Sequence, residues 1–537
     1  MLDRTVPALP LFIGSMLLLA AQGLAAGASS ELAELCEKYW QGYLEAYPTA
    51  ATSLGDPRYD DRLEDISPAG IAKETRRLES VVERARRITE AGLSPKDRLT
   101  RTALIIEIEG QLARLACGFH KWTVDPLGGP QVELMSLSDY TIIETPKDAA
   151  KYVKRMQAGA RYLDDHIANL DLRSALATSL VPALRRYHAF LQGQVLPVAR
   201  PPERAGLGTL PGGTDCYRRM IRVYSSLDLD LGELHKLGLD QVAKFRRDLA
   251  ELGGKVFGAS DVAEIQRRLR DAPEMQFTTS DEVEAKARET LGRAQSAVPR
   301  WFGQVQPKAR CEVRPMGMHE APYSTIAYYR QPSADGRRPG TYMINTYLPE
   351  SRPRYEAEAL AFHESVPGHH LQIAVAQELT DVPEFRKHQG VTAFVEGWGL
   401  YAERLADEMG LYSSDVDRLG MLSYDAWRSC RLVVDTGLHA EGWSRQQAID
   451  YMIENSLLAE NNIVNEVDRY LTWPGQALAY KLGQLEILRL REEAQKRLGA
   501  RFDIKAFHDA VLGNGAVSLA VLRQQVEAYI AAAEGTP

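Results

Sequence analysis

The chain has 537 residues, 45% hydrophobic and 25% charged, ordinary proportions for a globular protein with a large buried core. Its net charge of −8 argues against a dedicated nucleic-acid binder, which would carry an excess of Lys and Arg. No apolar run of about 18 residues follows the N-terminal segment, so no internal membrane span is expected.

The N-terminus reads as an address label. Arg4 supplies positive charge, Leu9 to Ala21 is apolar, and the small residues Ala25, Ala26, Gly27 and Ala28 follow. This is the pattern of a cleaved secretory signal peptide, assigned to residues 1–28. The mature protein is expected to be exported, periplasmic or secreted, with no membrane span once the signal is removed. Cys36, Cys117, Cys216, Cys311 and Cys430 are far apart and form no CxxC pair. They are expected mostly as buried thiols, with one or two bridges that spacing cannot assign.

Apolar residues then recur at three- and four-residue spacing, predicting helices over Glu31–Tyr47, Gly70–Ala91, Pro95–Cys117, Lys147–Leu170 and Leu172–Leu196. Leu196 to Gly213 is rich in Pro and Gly and reads as a hinge or crossing loop. Helices resume at Leu231–Leu252, Val262–Leu269 and Ser280–Ala297. Residues 310–347 change character: Cys311–Arg314, Thr325–Tyr329 and Thr341–Asn345 read as short strands between Pro and Gly turns. That sheet serves either as packing or as an edge that lays a peptide alongside by main-chain hydrogen bonds. From Pro353 onward the chain is helical again. The expected fold class is mainly α, with residues 29–210 as an N-terminal helical lobe and 211–537 as the lobe that carries the chemistry.

The chemistry centres on His363-Glu364-Ser365-Val366-Pro367-Gly368-His369-His370, which holds three of the 11 histidines. A catalytic zinc takes three protein ligands and leaves one position open. The familiar helical H-E-x-x-H places two His one turn apart, but here Pro367 stands four after His363. A Pro–Gly break is needed to bring a second ligand round: His369 if the two residues bulge outward, His370 if the helix restarts in another phase. Glu396, among apolar neighbours in Thr392–Glu403, is the candidate third ligand, because an unpaired carboxylate there would be costly. Glu403 lies seven further on, on the same helix face. Arg431, Asp435 and His439 follow at i, i+4 and i+8. Asp435 could fix the tautomer of His439, or the three could form a solvated salt-bridge face. Tyr470 or Tyr480 could donate to an oxyanion, or pack in the core.

Taken together, His363-Glu364-x-x-Pro367-Gly368-His369-His370-Leu371-Gln372, Glu396-Gly397-Trp398, Val434-Asp435-Thr436-Gly437-Leu438-His439 and Arg469-Tyr470 with Pro474-Gly475-Gln476-Ala477 resemble a bacterial family labelled as a domain of unknown function. That family looks related to the helical gluzincin peptidases, such as angiotensin-converting enzyme, thimet oligopeptidase and thermostable carboxypeptidase. The resemblance implies a two-lobed helical fold with a central cleft and a small sheet beside the metal helix. It implies one Zn2+ per chain on His363, His369 or His370, and Glu396, with Glu364 as general base, Tyr470 as oxyanion donor and His439 in reserve. The implied activity is metal-assisted hydrolysis of short peptides. A non-peptidase hydrolase of a small amide or isopeptide, or an inactive helical periplasmic binding protein, are the rival expectations.

Overall fold

Many of the long helices begin where the sequence supplies a capping side chain. Ser67, Ser94, Asp230, Thr279, Ser414 and Ser518 each accept a backbone N–H from the first turn that follows, satisfying donors a helix start leaves open. Pro68 and Pro95 open their helices, where no N–H is needed. The structure, a computed structural model, describes residues 11–118, 120, 129–169, 186–318, 320–322 and 324–535. Helices make up 73% of it, so the fold is mainly α, as the periodicity predicts.

The helices Pro68–Arg87, Pro95–Cys117, Pro146–Asn169, Leu231–Phe257, Val262–Asp271 and Ser280–Trp301 lie where the spacing placed them. The first expected helix is the end of a longer one, Leu11–Ala46. The signal-peptide assignment falls largely outside the description, which omits residues 1–10 and the side chains up to residue 26. Most of the helix expected over Leu172–Leu196 also lies outside the described residues. Among the helices not expected are Pro130–Tyr140 and Gly213–Ser225. The second follows a Gly-rich lead-in, yet buries Tyr217, Met220 and Ile221 along one face. The stretch before it is no bare hinge: it makes short 3-10 turns, and the Leu207 N–H donates to His439 Nδ1 at 2.9 Å.

Cys117, at the end of its helix, is bridged to Cys216; Cys36, Cys311 and Cys430 are buried thiols. The apolar core of the N-terminal helices, with Leu35, Tyr39, Leu78 and Leu104, also takes in Phe385 from the later half of the chain.

Two features position the site. The helix Asp415–His439 is buried along its whole length from Leu419, so it must satisfy its polar side chains internally. Asp425 accepts from Lys481 Nζ at 2.6 Å and from Arg404 at 3.0 Å. Asp435 accepts from Tyr217 Oη at 2.6 Å and from the Gly475 N–H. The Arg431–Asp435–His439 row is therefore neither a solvated face nor an Asp–His pair. The second feature is the sheet, the only one among the described residues, ordered β1-β3-β2 (Cys311–Pro315, Gly340–Ile344, Ala327–Arg330). β1 runs parallel to β3 and β2 antiparallel, with Tyr342 between Val313 and Tyr329. All five residues of the central β3 are buried, and β1 and β2 form the two edges.

Candidate metal centre

The helix Ala357–Glu364 stops where Ser365 turns back, its N–H and its hydroxyl both bonding to the Ala361 carbonyl. The Val366–Pro367 peptide is cis, and the next helix, His369–Gln377, restarts at His369. Gly368 is required by crowding: a Cβ there would lie 1.9 Å from the His363 carbonyl oxygen. Trp398, two residues after Glu396, donates from Nε1 to the Pro367 carbonyl at 2.9 Å. The broken motif is thus held from the helix Thr392–Glu408, so the turn and the third candidate ligand come to the site together.

This turn brings His363, His369 and Glu396 together, with one possible ligand atom from each, all within 4.8 Å of one another. Glu396 Oε2 lies 3.6 Å from His363 Nε2 and 3.3 Å from His369 Nε2. Tetrahedral zinc with bonds of about 2.0–2.2 Å spaces its ligand atoms by roughly 3.3–3.6 Å. Oε2 of Glu396 is buried and has no hydrogen-bond partner among the described residues, a cost that a cation would remove. The donor set and its spacing therefore fit a zinc-type ion. Behind it, His363 Nδ1 donates to the buried Glu403 at 2.7 Å, as a metal-binding His commonly does to an outer carboxylate. Gly399 makes room for the ring; a Cβ there would lie 2.7 Å from His363 Cε1.

The electrostatics show how strongly the place favours positive charge. Burial opposes a charge on His363, but the Glu396 and Glu403 carboxylates outweigh it and push its pKa up to about 9. Burial would likewise raise Glu396, yet His369 and His363 hold it well below the usual carboxylate range.

The other sequence candidates fall elsewhere. His370 turns to the sheet: its Nδ1 accepts from Tyr329 Oη at 3.0 Å and its Nε2 donates to the Ala309 carbonyl at 3.1 Å. Burial lowers its pKa to about 4, only partly opposed by the Ala309 carbonyl. His439 is fully buried between the Leu207 N–H and the Tyr470 carbonyl and does not line the cavity at the triad. Nor does Tyr470, whose hydroxyl takes bonds from Trp427 Nε1 and Arg431 Nε, both at 3.0 Å. Tyr480 does line the cavity, and its ring stacks on His363 at 6.3 Å and 18°.

The cavity measures about 550 Å³ and is lined by His363, His369 and Glu396, by the half-buried Glu364, and by the edge strand β2. The far wall carries Arg428, Arg431 and Arg469. Sequence reasoning missed Arg428 altogether, because one Arg in a helical run gives no signal. It noted Glu403 only as a neighbour on the face of Glu396, seven residues apart, which was in fact the signal.

Two solved structures share this fold. A "putative lipoprotein" from Colwellia psychrerythraea is 24% identical, with a TM-score of 0.78 over 95% of this chain and 99% of its own. A "putative lipoprotein of unknown function" from Shewanella oneidensis is 18% identical, with a TM-score of 0.71 over 92% of this chain and 99% of its own. No curated protein matches the chain. The model of one family, described as bacterial protein of unknown function (DUF885), matches residues 48–175 and 171–526. The chain belongs to that family.

Proposed function

We propose that the protein is a zinc-dependent hydrolase, a metallopeptidase that cleaves short peptides. The observation that carries this reading is the buried His363–His369–Glu396 triad, with an unpartnered carboxylate oxygen at its centre and Glu364 beside it on the same cavity. A bound zinc ion would polarise the scissile carbonyl and acidify a water molecule. Glu364 takes the proton from the attacking water and passes it to the leaving amine. Tyr480, packed on His363 and facing the cavity, replaces Tyr470 as the hydroxyl that steadies the developing oxyanion. Glu403 holds the His363 ring in one tautomer.

Peptide is the favoured substrate because β2 is a sheet edge that lines the cavity. Its outward main-chain groups can pair with an extended segment laid against it. Export also fits the chain. A disulfide belongs to oxidising compartments, none of the described helices is long and apolar enough to cross a membrane, and both structural neighbours are described as lipoproteins.

Digestion of a mixed peptide library tests the reading. Protein loaded with zinc is expected to cut short peptides, to stop when a chelator strips it, and to resume on adding zinc. Cleavage that persists unchanged in the stripped protein, or a zinc-loaded protein that cuts no peptide, would remove the metallopeptidase reading.

A further inference from the structure

We infer that Arg428 and Arg431 form a carboxylate-binding subsite, so that the substrate carries a carboxylate within about three residues of the bond that is cut. This rests on the hydrolase reading and narrows it to cleavage near a chain end or beside an acidic residue.

Three guanidinium groups line the metal cavity, and all are buried: Arg428 is 3% exposed, Arg431 2% and Arg469 9%. Their carboxylate partners are few. Glu466 accepts from Arg431 Nη2 at 2.8 Å and from Arg469 at 3.0 Å. Arg469 finishes its bonding on Gln476. Arg428 has Glu403 at 3.9 Å and feels the charge of the buried Glu356, but Glu403 is already engaged by His363 and Glu356 by Ser423. Of the other acids of the cavity, Glu396 belongs to the triad and Glu364 is the proposed base, while Glu320 interacts with Tyr328 and keeps its buried Oε2 without a hydrogen-bond partner among the described residues. Nε and Nη1 of Arg428 and Nη1 of Arg431 have no hydrogen-bond partner among the described residues. Both guanidiniums pack on the Trp427 ring, at 4.0 and 4.4 Å, so two like charges share one ring in a poorly solvated place. Such a pair is expensive to bury, and an anion with two oxygens is the natural complement to the guanidinium fork.

The position of the subsite sets the substrate class. Tyr480 lies 6.3 Å from the His363 ring and 4.2 Å from Arg431 Cζ. Laid end to end, these distances put the guanidinium no more than about 10.5 Å from the His363 ring, roughly three residues of extended chain at 3.3–3.6 Å each. The bound carboxylate is thus a near neighbour of the scissile bond. It comes either from the substrate's own C-terminus or from an Asp or Glu side chain.

Two N-acetylated peptide libraries, identical but for a free acid or an amide at the C-terminus, separate these sources when digested by the zinc-loaded protein. The expected result is cleavage within three residues of the end of the acid library, with the amidated library cut at least tenfold more slowly. Amidated peptides cut only beside Asp or Glu would assign the subsite to an acidic side chain. Neutral amidated peptides cut as fast as their acids would overturn the subsite while leaving the hydrolase reading intact. A zinc-loaded protein that cuts neither library would overturn both. Arg428→Met, which keeps the stem and removes the charge, should bring the acid-to-amide ratio toward one through KM rather than kcat. If that variant does not fold, Arg428→Lys should still narrow the ratio, and an unchanged ratio in a folded variant would remove Arg428 from the subsite.

Discussion

Glu364→Gln should keep its fold and its metal and lose hydrolysis by on the order of 10² or more. Glu364 is the last residue of the helix Ala357–Glu364, directly after His363, so it points about 100° around the helix axis from that side chain. It lines the cavity but is not one of the three converging residues. A group placed beside the ion rather than on it moves protons and does not bind metal. The amide preserves shape and hydrogen-bonding reach but cannot take up a proton near neutral pH. General acid–base groups contribute about 10²–10⁴-fold, and this one would serve in two steps. Metal content equal to the parent's with a rate within a few-fold of it would mean that another group is the base. Loss of metal would make Glu364 a ligand.

His369→Ala and His370→Ala, one residue apart, should fail in different ways. His369 Nε2 converges on Glu396 with His363, so its removal should take one of the three proposed ligands. Outer partners of a metal ligand are worth about 10–100-fold in affinity, and a ligand itself should be worth more than 100-fold. His370 instead ties the helix His369–Gln377 to the sheet through Tyr329 and Ala309. Its loss strands a half-buried hydroxyl and a half-buried carbonyl, at up to about 1–3 kcal/mol, and should leave metal binding near the parent's. Chelator competition and a thermal melt on each variant read the two effects separately. Full metal retention in His369→Ala, or its loss in His370→Ala, would reverse the assignment.

This pair also shows what the sequence could and could not convey. The motif suggested that two of its three histidines converge on one site and that the Pro–Gly break makes this possible, but not which. The choice depends on how Trp398 and Ser365 hold the turn and on the Tyr329 hydroxyl waiting across the sheet, contacts made between residues dozens of positions apart. The strands near 311, 327 and 341 were legible from β-branched and aromatic residues between Pro and Gly turns, and the long helices from their spacing and caps. Tyr470 and Tyr480 look alike in sequence, each a tyrosine in a helical run. Only the packing of Arg431 separates them: it bonds to the Tyr470 hydroxyl and stacks on the ring of Tyr480. The Arg431–Asp435–His439 row misled because its polar spacing suits an exposed face, whereas buried partners on the segments near 207, 217 and 475 absorb Asp435 and His439.

His363, His369 and Glu396 should hold one metal ion between them. Elemental analysis of protein purified without chelator tests it most directly. About one zinc ion per chain is expected, falling well below that in Glu396→Ala. A parent protein that carries no transition metal, and takes up none from added zinc, would contradict it.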